Sequence, residues 1–306
     1  MRSNNQAVIY AGLAVVSWST IATALKIALS QQTYFEMLLV ASSTALVFFI
    51  CLMTVQKKWK AVGNLSSKQW RYFASIGLLN PVAYYLALFK AYDLLPAQIA
   101  QPINYAWPIV LLLLLAIFAH QPIPLGKYIG MFISLGGVVL ITMGSSQGGK
   151  NVSAEGIIPA ALSAVLWASY WLISNQQRKI DASTGLFMTF LFGTIYLATA
   201  ACILGIRNYT LVGLFSGMYV GCFEIAIPFL LFGMAMRKST NPALINQMCY
   251  LSPFLSLFFI ALILQEQIAF TTYIGLSLIV GGLLYNQYII KRIHIKTSRL
   301  SIKSLK

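Results

Sequence analysis

One carboxylate stands in the middle of a long apolar run: Glu224, between the uncharged stretches 218–223 and 225–232. If that run crosses a bilayer, a charged carboxylate at mid-depth costs about 2.5–3.5 kcal/mol or more. Such a group must face a cavity, pair with a cation or carry a proton. Three roles fit it: a protonated carboxyl tying helices together, a proton-coupling site, or a partner for the ammonium of a bound solute.

Three tryptophans, Trp18, Trp107 and Trp167, also fall deep inside apolar runs. Tryptophan ordinarily lies at the membrane–water boundary, and a buried indole N–H needs a partner. Helix packing is one reading of their depth, and an aromatic-lined solute pocket is the other. Trp171, one turn past Trp167, fits either; Trp59 and Trp70 lie beside basic residues, as interface anchors do. Asn80, Tyr84, Gln101, Asn104, Tyr105, Asn246, Gln247 and Tyr250 set polar groups in the same runs. They are expected to face a central cavity or to bond between helices.

Pro81, Pro102, Pro108, Pro228 and Pro253 are interior to apolar runs. Each removes one helix hydrogen bond and frees the carbonyl four residues earlier. The carbonyls freed are those of Gly77, Gln98, Asn104, Glu224 and Cys249. In a bilayer each must find another partner. These are static kinks or hinges, and Pro81, Pro108, Pro228 and Pro253 are the candidate gating kinks.

The elements that must carry these groups follow from composition. Of 306 residues, 59% are hydrophobic and 9% charged, with mean hydropathy +0.78. A soluble domain carries roughly 25% charged residues, so this chain could not cover a water-facing surface. Apolar runs near 7–29, 33–55, 70–90, 96–119, 122–143, 154–177, 183–205, 209–236, 241–264 and 268–290 match the ~20 residues of a membrane helix. The first is too long for a signal-peptide core. The alternation of barrel strands is absent. With both termini in the cytoplasm, 17 of the 21 Lys and Arg fall on that side, as the positive-inside rule requires.

The net charge of +15 is that of basic loops and a tail facing an anionic leaflet, so no nucleic-acid partner is expected. Cys51, Cys202, Cys222 and Cys249 fall within or beside apolar runs as packing residues, and His120 and His294 lie far apart. No metal site and no cofactor are expected. Lys26 and Glu36 are candidates to pair at the mouth opposite the termini, and Lys90 and Asp93, three apart, at the end of the third helix; the alternative is that these lysine stems simply snorkel.

The chain repeats itself. Shifted by 145 positions, residues 87–141 meet 232–286 without a gap. Tyr105 and Pro108 then fall on Tyr250 and Pro253. Tyr128, Ile129 and Gly130 fall on Tyr273, Ile274 and Gly275, and Gly136 and Gly137 on Gly281 and Gly282. Leu13 and Trp18 match Leu162 and Trp167 at a shift of 149. The predicted fold is therefore all-α and integral to the membrane: ten transmembrane helices as two five-helix repeats, residues 1–144 and 151–290, with a basic cytoplasmic tail at 291–306. Because five is odd, the second half inserts upside down, the plan of many transporters with a site between the halves.

The early Trp of each half, the proline-bearing segment 97–115, the closing Gly-Gly helices, and Tyr250 and Pro253 followed by Gln265-Glu266 resemble a ten-helix member of the drug/metabolite transporter superfamily with two EamA-type repeats. The first half departs from that pattern at His120-Gln121. The stretch Asn104-Tyr105-Ala106-Trp107-Pro108 is similar to one in the superfamily's aromatic amino acid exporters. The resemblance implies export of small organic solutes by alternating access, amino acids first. Nucleoside-type metabolites and cationic drugs are the alternative cargo within the same superfamily. The location expected is the bacterial inner (plasma) membrane.

No phosphate-cradling loop, paired catalytic carboxylates or His-rich cluster is present in the sequence, so enzyme activity is not expected. An intramembrane enzyme would need several ionisable residues at one depth, and a structural membrane protein would not need inverted repeats. The partners expected are a small-molecule substrate, the lipid bilayer and protons. Both halves lie in one chain, which points to a monomer.

Overall fold

In the computed structural model the described residues are 2–118, 125–145, 153–174, 180–206, 210–239, 245 and 248–303, and among them there are helices and no strands. In chain order these are α1 (Arg2–Leu29), α2 (Tyr34–Val55), the short α3 (Trp59–Gly63), α4 (Ser67–Gly77), α5 (Tyr84–Leu94), α6 (Ala97–Asn104) and α7 (Trp107–Phe118). Then come α8 (Leu125–Ser145), α9 (Ala154–Ser174), α10 (Ala182–Leu204), α11 (Leu211–Val220), α12 (Ile227–Lys238), α13 (Leu251–Ile263) and α14 (Phe270–Lys303). Wide π-type turns join α4 to α5 (Leu78–Ala83) and α11 to α12 (Gly221–Ala226). Counting helices that continue through such breaks as one, seven described helices are long and apolar enough to cross a membrane, and three shorter apolar ones occupy the remaining predicted spans. The last helix runs on to Lys303, so no helix end marks the predicted start of the tail at 291.

Helix starts follow local capping chemistry. Thr33 and Glu36 form a reciprocal capping box at α2, and Ser66 and Gln69 form one at α4. Asp181 accepts from the backbone N–H groups of Ser183 (3.0 Å) and Thr184 (3.2 Å) at the start of α10. It also pairs with Lys58 at 2.8 Å. On the same face Lys238 Nζ donates to Gln6 Oε1 at 2.8 Å and lies over the Tyr10 ring.

The packing has the symmetry of the repeat. α1 lies along α12 and α13, and its counterpart α9 lies along α5 and α7. α2 meets α11 as α10 meets α4. Two pairs join counterparts directly, α2 with α10 and α8 with α14. In the second pair Gly130 faces Gly282 and Gly137 faces Gly275, so closely that a Cβ on any of the four would meet the opposite backbone. Under the shift of 145, Gly130 corresponds to Gly275 and Gly137 to Gly282. Two antiparallel helices in which each residue meets the partner of the other are related by a two-fold axis. Ser134 Oγ donates to Ile279 O at 3.0 Å, and these two positions are themselves counterparts, so the local axis passes beside them.

The helix breaks repeat as well. Tyr105 sits between α6 and α7 at φ −67°, ψ −2°; its counterpart Tyr250 precedes α13 at φ −70°, ψ −11°. The third helix of the first half is broken by the turn at 78–83, and the third of the second by the turn at 221–226.

Candidate functional site

The polar residues singled out in the sequence gather where helices are broken. Asn80 precedes Pro81, and proline disfavours the helical region for the residue before it. Asn80 is accordingly extended, at φ −141°, ψ 120°. That break carries Asn80 into the interior, where it is 1% exposed and its amide lies against Tyr170 without a hydrogen bond of good geometry. Pro81 is buried too, its ring against Gly193 of α10.

Tyr84, at the start of α5, stacks on Trp167 with ring centroids 4.6 Å apart and planes at 26°. Trp167 also meets Tyr170 (5.4 Å), Trp171 (6.0 Å) and Phe229 (5.9 Å). Trp171 stacks on Trp107 at 6.3 Å and 13°. Trp18 meets Phe229 at 6.4 Å and Phe232 at 5.5 Å. The three predicted tryptophans thus belong to one aromatic wall, running Trp18, Phe229, Trp167, Trp171, Trp107. Tyr84 and Phe229 are counterparts at the shift of 145, and Trp18 and Trp167 are counterparts at 149. Trp18 meets Phe229 across the halves as Trp167 meets Tyr84.

Glu224 lies in the π turn between α11 and α12, and Tyr85 Oη donates to its Oε1 at 3.4 Å. Pro228, at the second position of α12, lacks the N–H that would take the Glu224 carbonyl. Trp18 Nε1 takes it instead, at 3.1 Å, and Ser17 Oγ donates to the neighbouring Phe223 carbonyl at 2.6 Å. The prolines are not mid-helix kinks alone. Pro108 is the second residue of α7 and Pro253 the third of α13, so each follows a break, at a position where a missing N–H is tolerated.

Asn104 bonds between helices: its Nδ2 donates to Ser163 Oγ of α9 at 2.9 Å. Gln101 is buried on α6, and Tyr105 and Tyr250 are half-buried in the two equivalent breaks. Asn246 and Gln247 lie outside the described residues. Away from this cluster, Lys26 Nζ donates to the carbonyls of Tyr92 (2.8 Å) and Leu95 (3.1 Å). A cation is favourable at that helix C-terminus. Glu36 Oε2 accepts from the Thr33 N–H and hydroxyl. The amide of Gln98 ties α6 to the segment before α14, donating to Gln267 O at 3.0 Å and accepting from Ala269 N at 3.3 Å.

Tyr85, Phe229, Tyr170, Ser163 and Ser17 were not selected from the sequence. Phe229 was reachable there as the counterpart of Tyr84, had the repeat been followed three residues further back. Hydroxyls such as Ser163 carry no signal until the facing helix is known.

The model of the EamA-like transporter family matches residues 5–143 and again 154–286. The chain belongs to that family. It is an integral membrane protein that moves small solutes across the bilayer. A crystal structure shares the transporter's fold with a TM-score of 0.67 over 94% of this chain and 99% of the other, at 19% identity. No curated protein matches the sequence.

Proposed function

We propose that this transporter exports neutral amino acids, aromatic ones first, and that the aromatic wall with Asn80 and Glu224 is where they bind. The observation that carries this reading is Asn80. Its amide is buried against Tyr170, one of the stacked rings of the wall, and makes no hydrogen bond of good geometry. An apolar planar body suits the rings, and the ammonium of an amino acid suits the Glu224 carboxylate. The same carboxylate favours cationic drugs as a second reading.

Alternating access is supported by the inverted repeat, which gives two like halves that can rock about a site between them, with both termini cytoplasmic, as the Lys and Arg distribution supports. Protons are the coupling ion proposed, through Glu224, and the functional unit proposed is a monomer of two repeats, 1–144 and 151–290, in a bacterial inner membrane.

The test is counterflow into proteoliposomes preloaded with single amino acids, nucleosides or cationic drugs. Accelerated exchange of aromatic amino acids, lost in Trp167→Ala and Trp107→Ala, supports the reading. Exchange confined to nucleosides or cations overturns the substrate assignment.

A further inference from the structure

The start of α14 has no cap of its own. Ala269, the residue before that helix, carries no side-chain oxygen for the unpaired N–H groups of the first turn. A glutamine from the other half of the molecule reaches this place instead. Gln98 is the second residue of α6 and is buried, 8% exposed. Its Oε1 accepts from the Ala269 N–H at 3.3 Å and from the buried Thr272 hydroxyl at 3.2 Å, and its Nε2 donates to the Gln267 carbonyl at 3.0 Å. An amide carbonyl has two acceptor sites, and both are used.

The three bonds join the two repeats. α6 belongs to the first and residues 267–272 to the second. They lie on the face where α1 ends: Lys26, in the last turn of α1, donates to Leu95 O at 3.1 Å, three residues before Gln98.

The opposite face cannot repeat this clamp. Under the shift of 145, Gln98 corresponds to Ala243, Gln267 to Pro122, Ala269 to Pro124 and Thr272 to Lys127. Alanine has no amide, and proline has no N–H to offer one. In an inverted repeat the two ends of the transport cycle exchange the conformations of the halves. A contact that both halves could make would stabilise both end states alike and shift nothing. A contact that only one half can make favours one of them. We infer that Gln98 is a latch between the halves, made while α6 and the start of α14 meet and broken when that face opens, and that it sets the resting ratio of the two end states. The inference rests on the alternating access proposed above and not on the identity of the solute.

The experiment is double electron–electron resonance on the full chain in nanodiscs. Cys51, Cys202, Cys222 and Cys249 are replaced by serine, and spin labels are placed through Asp93→Cys in the first half and Phe270→Cys in the second, both exposed positions. With Gln98 in place one short separation should dominate. Gln98→Ala, which copies the counterpart Ala243, should raise the ratio of a longer separation to the short one at least about five-fold, the worth of one neutral hydrogen bond. Thr272→Val removes one bond of the three and should move the ratio the same way by a smaller factor. An unchanged ratio in both variants overturns the latch; a lowered melting temperature with that unchanged ratio makes Gln98 a static tie. Counterflow on the same samples tells this failure from a failure of alternating access, because the absence of a latch leaves exchange intact.

Discussion

The indole N–H of Trp18 donates to the main-chain carbonyl of Glu224 at 3.1 Å. That carbonyl is free because Pro228, four residues on, has no N–H. A half-buried tryptophan of the first half thus completes the broken helix of the second. The side-chain carboxyl of Glu224 accepts from Tyr85 and, in the function proposed above, binds the solute.

This division of labour predicts different defects in the two paired tryptophans. Trp18→Phe keeps the ring and strands the Glu224 carbonyl. It should lower stability by ~1 kcal/mol, the scale of a hydrogen bond between membrane helices, and leave most transport intact. Trp167→Ala should do the reverse to transport, abolishing exchange while the protein still runs as a single species. Melting temperature in detergent and counterflow on the same samples separate the two.

Glu224→Gln keeps the shape of the side chain and removes the carboxylate. Exchange should fall at least about ten-fold, the scale of a lost hydrogen bond to a charged group, with the elution profile unchanged. Tyr85→Phe removes a bond of 3.4 Å and should slow exchange only a few-fold. Unchanged uptake and unchanged pH dependence in Glu224→Gln would reject both the coupling and the ammonium-binding roles.

Pro108 and Pro253 follow the equivalent breaks at Tyr105 and Tyr250. If the breaks bend during transport, Pro108→Ala and Pro253→Ala should extend the helices across them and slow turnover several-fold, with apparent substrate affinity little changed. Full transport rates in both variants would mean that the breaks are static.

Asp181 gives a pH dependence outside the membrane spans. Burial opposes its ionisation, but the Lys58 hydrogen bond, the Thr184 N–H and the charges of Lys58 and Arg237 outweigh that and hold its carboxyl below the ordinary range. A carboxyl with a lowered folded pKa contributes stability above its unfolded value of about 4. That contribution is lost as pH falls through the folded value. The wild type should therefore lose more melting temperature below pH ~4 than Asp181→Asn. At neutral pH Asp181→Ala should cost ~0.5–2 kcal/mol for the cap, the partly exposed ion pair adding at most ~1 kcal/mol.

The membrane class, the helix positions and the doubled architecture were determined by the sequence itself. A bilayer demands about twenty apolar residues per crossing, and a gapless match of Tyr, Pro and Gly positions between halves leaves little freedom for the repeat. Even the conformational breaks at Asn80 and after Tyr105 were marked by proline, because its missing N–H and its effect on the preceding residue act locally. What tertiary structure decided was where the freed groups go. Asn104, read as a cavity group or a tie between helices, donates to Ser163 because α9 lies opposite it. Asn80 was set against Tyr170 of α9, and Phe229 became the ring linking Trp18 to Trp167. Such pairings depend on which helix faces which across the two-fold axis. Local sequence rules do not reach that far, since a side chain in a bilayer bonds to whatever polar group the packing brings within about 3 Å.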